Sequence, residues 1–241
     1  MRSVSPNYPF GDDSWFTAGS LRDFKANISS WRQQNPVLSS ELRLNRLPWA
    51  KEWNEELSPF CALAECLNIA DSCQVRLAPR HAKAFDLFIR RDREISVQMT
   101  IADLDWGLER NPGKVVRWEF ERLGKNKIVF GGGGTRKQGG EVMSEPRIIS
   151  PDDRLAACER GMLRALVKKL EKTPKADWLG IYCRNFINQL WDGGEERLEQ
   201  SLCRVSGTCP EFERIFIFDT VDRYQFLKSW SRDKSKPLPN A

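Results

Sequence analysis

Apolar and polar side chains alternate along the stretch AFDLFIRRDREISVQMTIADLDWG, residues 84–107. Successive side chains of an extended chain point to opposite sides, so the alternation separates two sets of residues over 94–102. The apolar set is Ile95, Val97, Met99 and Ile101, and the opposite set is Glu94, Ser96, Gln98, Thr100 and Ala102. One set suits a core and the other suits solvent or a cleft, which predicts a strand here. Similar runs at 73–78 and 84–90, separated by short turns, extend the prediction to an antiparallel meander of three strands.

Helical patterns precede and follow this meander. Apolar residues recur at helical spacing over 50–69, and Ser58 before Pro59 indicates a helix start, which predicts two helices or one kinked helix. A strongly amphipathic helix begins at Pro151, acidic at its start and basic at its end as the helix dipole favours. Further helices are predicted at 22–33, 114–124 and 194–205, and further strands at 176–184 and 214–220. The order predicts a mixed α/β (α+β) fold in which helices flank a central mixed sheet.

The chain divides into three parts by composition. Residues 1–48 contain several prolines with aromatic residues between them, which predicts an N-terminal extension packed on the core. Residues 49–230 form the predicted domain, and residues 231–241 form a polar, flexible tail. With 241 residues and a hydrophobic content of 40%, the chain can bury a full core. It has no apolar run long enough for a membrane span and no secretory signal, so we expect a cytoplasmic protein without a membrane partner.

Cysteine and histidine usage narrows the chemistry. The seven cysteines form no CxxC pair, and several lie in apolar stretches, so we expect neither a zinc site nor disulfides. His81 is the one histidine and has no evident base or orienting partner, which argues against a nucleophilic triad. The glycine-rich tract 130–141 lacks the spacing of a phosphate-binding P-loop and is expected to form a flexible loop or hairpin tip. The formal net charge is +5, and the basic residues are clustered, which fits either a phosphate-binding surface or ordinary solubilising charge.

Asp86 is the most informative single residue, because it lies among apolar residues of its predicted strand and a carboxylate is costly to bury alone. We expect it to face a cation or hydrogen-bond donors. The predicted hairpin places Gln98 and Thr100 beside it, and Glu56 on the preceding helix offers a further oxygen ligand. In the alternative interpretation, Asp86 is a structural acid paired with an arginine such as Arg76. Glu56 is then an exposed helix-end charge, and Gln98 and Thr100 are ordinary strand residues.

An acid on one strand, a polar triplet on the next and a glutamate on the preceding helix resemble the PD-(D/E)XK nuclease superfamily. The matching segments are EELSPFCALAECLNI, VRLAPRHAKAFDLFI, VQMTIADLDWG, FERLG and LRALVKKLEKTPKADWLGIY, and together they look like a bacterial branch of that superfamily over residues 50–185. The resemblance implies a restriction-endonuclease-like core of helix, three-strand meander, helix and strand. It also implies a metal-dependent phosphodiesterase site that uses Mg²⁺ or Mn²⁺.

The resemblance transfers residue by residue. Glu56 matches the helix glutamate and Asp86 matches the first acid. Gln98 stands where the second acid is expected, and Thr100 stands where a lysine is usual. The implied metal ligands are Asp86, Gln98 and Glu56, with Thr100 as the fourth site residue. An alternative register puts Ser96 at the acid and Gln98 at the lysine position, on the same strand face.

The neutral side chains at the second-acid and lysine positions lead to two functional hypotheses. The first is a Mg²⁺-dependent endonuclease or exonuclease with weakened metal affinity, since an amide replaces a carboxylate; Glu94 and Asp103 lie nearby but lack the expected spacing. The second is an inactive module that keeps the fold to bind nucleic acid or a protein. The basic residues that would contact nucleic acid are Lys168, Lys169, Arg136 and Lys137. In the alternative interpretation, such residues form an ordinary solvated surface. The sequence leaves the oligomeric state open, a dimer included.

Overall fold

The structure is a computed structural model. It describes residues 7–11, 14–35, 42, 47–79, 85–105, 134–136, 142–144, 150–171, 176–184, 186–187, 190, 193–207, 211–221 and 224–233. The helices of these residues are α1 (Ala18–Gln34), α2 (Ala50–Glu52), α3 (Ser58–Cys66), α4 (Pro151–Leu170) and α5 (Gly194–Ser206), and a π-helical segment (Trp53–Leu57) joins α2 to α3. The strands are β1 (Trp15–Thr17), β2 (Gln74–Leu77), β3 (Leu87–Arg90), β4 (Glu94–Ala102), β5 (Gly134–Arg136), β6 (Val142–Ser144), β7 (Trp178–Cys183), β8 (Arg214–Val221) and β9 (Tyr224–Ser231).

A seven-stranded mixed sheet, in the order β1-β2-β3-β4-β7-β8-β9, forms the centre of the described chain. Strands β1 to β4 pair antiparallel, β4, β7 and β8 pair parallel, and β9 returns antiparallel to β8. The predicted α/β class and the antiparallel meander are therefore confirmed. β5 and β6 pair with each other as a separate hairpin at the glycine-rich tract. β1 and β9 were not predicted from the sequence, and the helix predicted at 114–124 lies outside the described residues.

The two faces of the sheet carry different helices. On one face, Val75, Leu87 and Val97 pack with Leu21 of α1 and Leu63 of α3 in a continuous hydrophobic core. The other face packs against α4 and α5 in a second core, whose central members are Leu155, Leu166, Leu179, Ile181, Leu198 and Ile215. Strand alternation sets this division, because odd and even positions of each strand point to opposite faces. No helix of the described residues is long and apolar enough to cross a membrane.

The segment 1–48 contributes directly to the first core. Phe24 and Ile28 of α1 are buried in it together with Phe10, and β1 adds an edge strand to β2. Thr17 begins α1, since its hydroxyl accepts the Ser20 backbone N–H at 3.0 Å. These residues therefore supply a strand and a helix to the same sheet and core as the rest of the described chain.

The helix α4 lies close to β4, because glycine stands at the contact. A Cβ atom at Gly161 would lie 2.1 Å from the backbone oxygen of Asp103. The N-cap is Ser150, whose side chain accepts the Asp153 N–H at 3.1 Å. The close approach fixes α4 along β4, so that its last turn lies over the middle of that strand.

The π-helical segment resolves the choice between two helices and one kinked helix. Residues 50–66 form one helical run with a widened turn, in which the Ser58 N–H donates to the carbonyl of Trp53, five residues back. Pro59 lacks an N–H, so the carbonyl of Glu55 cannot receive the usual helical hydrogen bond from residue 59. A wider turn just before the proline accommodates this, and it carries Glu56.

Candidate functional site

Asp86 lies where β3 separates from β4. The last residue pair of the two strands is Leu87 with Val97, and beyond it the Asp86 N–H donates to the carbonyl of Val97 at 3.0 Å. The Asp86 Oδ2 atom accepts the Met99 backbone N–H at 2.5 Å. The carboxylate thus takes the place of a strand partner, which fixes its position at the end of the hairpin.

Lys169, on the last turn of α4, completes the surroundings of this carboxylate. Its Nζ atom lies 3.7 Å from Asp86 Oδ2, and the two side chains are 10% and 20% exposed. A lysine this far from water requires a negative partner, and Asp86 provides one. Of the two lysines expected to contact nucleic acid, Lys168 is exposed and Lys169 is buried in this site. The arginine considered as a partner for Asp86, Arg76, forms an ion pair with Glu94 at 3.5 Å.

Glu56, on the π-helical segment, lies close enough to Asp86 and Lys169 for their charges to act on its pKa. Burial, together with the negative charges of Asp86, Glu52 and Glu55, raises the pKa of Glu56 to about 8, although Lys169 acts in the opposite direction. Glu56 is therefore half-buried and mostly protonated at neutral pH, not a solvated charge at a helix end. The site combines two acids and one lysine from three separate elements.

Gln98 and Thr100 occupy the face of β4 that points toward α4, since Val97 and Met99 belong to the opposite core. Gln98 follows the last β3–β4 pair and is 1% exposed, so it lies beside Asp86 and inside the protein. Thr100 is half-buried and pairs with Ile181 of β7. The structure therefore brings Gln98 to the site and places Thr100 one step further along the same face.

The other residues considered from sequence lie elsewhere. The Ser96 backbone N–H and hydroxyl both donate to Asp177 Oδ2 at 2.7 Å, at the opposite end of β4. Glu94 is paired with Arg76, and Asp103 is paired with Arg184 at 2.6 Å beyond the end of β4. Neither of these acids replaces the missing second carboxylate beside Asp86.

The site offers oxygen-bearing side chains to the Mg²⁺ ion that the resemblance implies. Among the described residues, no group of three or more His, Cys, Asp or Glu side chains is arranged to hold a metal ion. Asp86 and Glu56 offer two carboxyl groups, and Gln98 offers an amide. Mg²⁺ is commonly bound through one or two carboxylates, with water and substrate phosphates as the remaining ligands. The donor set therefore fits a substrate-assisted site better than a closed protein cage.

Lys169 is predicted from the sequence only as one of four basic residues that could contact nucleic acid, but a signal for its burial exists in the sequence. The buried positions of α4 form one stripe at helical spacing: Leu155, Cys158, Met162, Ala165 and Leu166. Lys169 follows Leu166 by three residues and Ala165 by four, so it continues this stripe. A lysine on the apolar stripe of a helix predicts a buried charge with a partner. For Arg136, the structure describes only the backbone, which belongs to β5. Lys137 and His81 lie outside the described residues. A nucleic-acid role for Arg136 and Lys137 stays a prediction.

No protein-family model, no curated protein and no solved structure matches the chain. The resemblance to PD-(D/E)XK nucleases therefore stays a prediction.

Proposed function

We propose that this chain is a nucleic-acid-processing protein with a restriction-endonuclease-like core that hydrolyses phosphodiester bonds with the help of a divalent metal ion. The observation that carries the proposal is the convergence of Asp86, Glu56 and Lys169 at the end of the β3–β4 hairpin. Carboxyl groups that can hold a hard cation, next to a lysine, suit phosphodiester hydrolysis, in which negative charge develops on the phosphate.

The order of elements supports the same proposal. A helix carrying Glu56 precedes the antiparallel meander β2-β3-β4, and α4 then leads to β7, which pairs parallel to β4. This is the helix, meander, helix and strand order that the resemblance implies. The acid on β3 and the polar face of β4 occupy adjacent positions in this arrangement.

Each residue has a defined part in the proposed reaction. Asp86, Glu56 and Gln98 would hold Mg²⁺, which when bound supplies charge neutralisation and an acidified water. Glu56 must give up its proton to serve as a ligand. Lys169 would supply the positive charge that Thr100 cannot, since its Nζ atom lies 3.7 Å from Oδ2 of Asp86, a proposed metal ligand.

The second candidate is a binding module without catalysis. It is favoured by the ion pair between Lys169 and Asp86, because the lysine already neutralises the acid in the absence of a metal. The neutral side chains of Gln98 and Thr100 favour it as well. In this alternative the fold would bind nucleic acid or a protein without cleaving it.

Calorimetric titration of Mn²⁺ and Mg²⁺ into the wild type, Asp86→Asn and Asp177→Asn tests the proposal. Hydrolysis of plasmid, linear duplex and single-stranded substrates is measured on the same preparations. We expect metal binding in the wild type and a loss of hydrolysis of roughly 100-fold or more in Asp86→Asn. Asp177→Asn is the matched control, since its carboxylate lies in an ion-pair network away from the site.

Two results would contradict the proposal. A wild type that neither binds metal nor hydrolyses any substrate leaves the binding module as the function. Equal hydrolysis by the wild type and Asp86→Asn would show that the activity arises elsewhere or from a contaminant.

A further inference from the structure

The face of the sheet that carries Asp86 continues across β3, β2 and β1 as a surface of arginine and aromatic side chains. We call it the arginine–aromatic surface, and its members are Trp15, Arg76, Phe88 and Arg90. The pairings Trp15 with Arg76 and Arg76 with Phe88 place three of them in one row across three strands. The opposite face of the same strands is the first hydrophobic core, so the row faces outward from it.

The members of this surface hold one another in place by stacking. The guanidinium carbon of Arg76 lies 5.0 Å from the centre of the Trp15 ring and 4.9 Å from that of Phe88. The guanidinium carbon of Arg90 lies 4.0 Å from the centre of the Trp15 ring. Cation–π contacts at these distances orient the planar groups without using all of their N–H donors. Trp15 and Phe88 are half-buried and Arg90 is exposed, so ring and guanidinium edges remain accessible to a ligand.

Of the helices that the structure describes, those on this side of the sheet lie over other strands. α4 packs on β4 and β7, and α5 packs on β9 and on α4. The arginine–aromatic surface lies beside them, over β1 to β3. Asp86 and Phe88 are two positions apart along the chain, a distance of about 7 Å on an extended strand. The surface therefore begins at the candidate site and leads away from it.

We propose that the arginine–aromatic surface binds single-stranded nucleic acid and leads it to Asp86; this inference rests on the proposed function. Rings accept stacked bases, and guanidinium groups pair with phosphates, which is the combination that single-strand binding uses. The bases of a duplex are already stacked and paired, so a flat row of rings offers them little. Glu94 offsets one of the two guanidinium charges through its ion pair with Arg76, and Arg90 keeps the surface positive.

Fluorescence anisotropy with labelled oligo-dT, oligo-rU and a DNA duplex of equal length tests this inference. Binding is measured in EDTA, so that it does not depend on a metal ion. The variants are Phe88→Leu, which removes the ring, Phe88→Tyr, which keeps it, and Arg90→Ala. Arg204→Ala is the matched control, since Arg204 is an exposed arginine on α5.

We expect the wild type to bind a single strand more tightly than the duplex, and the two oligonucleotides distinguish DNA from RNA. Phe88→Leu and Arg90→Ala should each weaken single-strand binding about tenfold, whereas Phe88→Tyr and Arg204→Ala should bind like the wild type. Arg90→Ala should also reduce the salt dependence of binding, because it removes one phosphate contact.

Equal affinity for single strand and duplex, or wild-type binding by Phe88→Leu, would overturn the inference. Hydrolysis assays with Mg²⁺ separate its failure from that of the proposed function. Metal-dependent hydrolysis of a single strand that Phe88→Leu and Arg90→Ala both leave unchanged would overturn the surface and keep the enzyme. Ring-dependent binding of a single strand without any hydrolysis would keep the surface as a binding site and overturn the catalytic proposal.

Discussion

Two clusters in the described chain each combine two acids with one basic side chain, in opposite environments. At the amino-terminal ends of the parallel strands, the Nη1 atom of Arg93 lies 3.2 Å from Oδ1 of Asp177, and its Nη2 atom lies 2.6 Å from Oε2 of Glu213. At the end of the β3–β4 hairpin, the Nζ atom of Lys169 lies 3.7 Å from Oδ2 of Asp86. The charges of both residues act on the pKa of Glu56. The Arg93 side chain is 50% exposed and that of Lys169 is 10% exposed.

The pKa values of the acids in the two clusters are shifted in opposite directions. Burial opposes ionisation of Asp177, but the hydrogen bonds from Ser96 and the ion pair with Arg93 outweigh it and hold its pKa below the ordinary value. Burial and the negative charges around Glu56 together raise its pKa to about 8, against the opposing effect of Lys169. The first cluster is satisfied within the protein and joins strands. The second holds an acid that ionises more easily once a cation arrives, which is typical of a ligand site.

The largest effect should come from the contact that brings Lys169 to Asp86. Gly161→Ala places a Cβ atom against the Asp103 backbone oxygen, where only 2.1 Å is available, so α4 must move away from β4. We expect the free energy of unfolding, measured by urea denaturation, to fall by more than about 3 kcal/mol. Gly11→Ala is the control, because nothing lies within 4 Å of its added Cβ. Equal stability of the two variants would show that α4 is not held at this contact.

Replacing the basic residue of each cluster with methionine should reduce hydrolysis in one cluster and leave it unchanged in the other. Lys169→Met removes the charge from the proposed site but keeps the length of the side chain, and we expect hydrolysis to fall roughly 100-fold. Arg93→Met removes the charge from the other cluster and should leave the rate per folded molecule unchanged. The comparison is made on kcat/KM at a temperature where both variants are folded. A Lys169→Met variant with wild-type kcat/KM would remove the lysine from the reaction.

Local patterns predicted the elements around Asp86, because each depends on a few neighbouring residues. Alternation over 84–102 gives the hairpin, and the hairpin places Asp86 beside Gln98. The π-helical turn was not predicted, since helical periodicity assumes a constant turn and Pro59 changes it. β1 was missed because three residues carry no measurable alternation. The pairing of Lys169 with Asp86 was not predicted, because the charge of Lys169 was considered without its position on the apolar stripe of α4.

The pH dependence of the free energy of unfolding should distinguish Glu56 from Asp177. The pKa of Glu56 in the folded protein is raised from 4.5 to about 8. Its contribution to the free energy of unfolding is therefore complete below pH 4.5 and is lost as the pH rises through about 8. Glu56→Gln does not ionise, so its stability relative to the wild type should increase over this range, with an upper limit of about 5 kcal/mol at pH 9. Urea denaturation at pH 5, 7 and 9 measures the difference, with the exposed Glu171→Gln as control. A constant difference across these pH values would mean that Glu56 is ionised in the folded protein.

The smallest effect is expected at Asp177, and it should have the opposite pH dependence. Because the folded pKa of Asp177 is lowered, its stabilising contribution is present above its ordinary value of 3.8 and is lost as the pH falls through the folded pKa. Asp177→Asn should cost about 1 kcal/mol at neutral pH, since the amide oxygen still accepts from Ser96 and the charge near exposed Arg93 is screened. Urea denaturation should show this cost shrinking in acid and in high salt. A cost that grows as the pH falls would reverse the assignment of the two clusters, because it would make Asp177 the acid that its surroundings keep protonated.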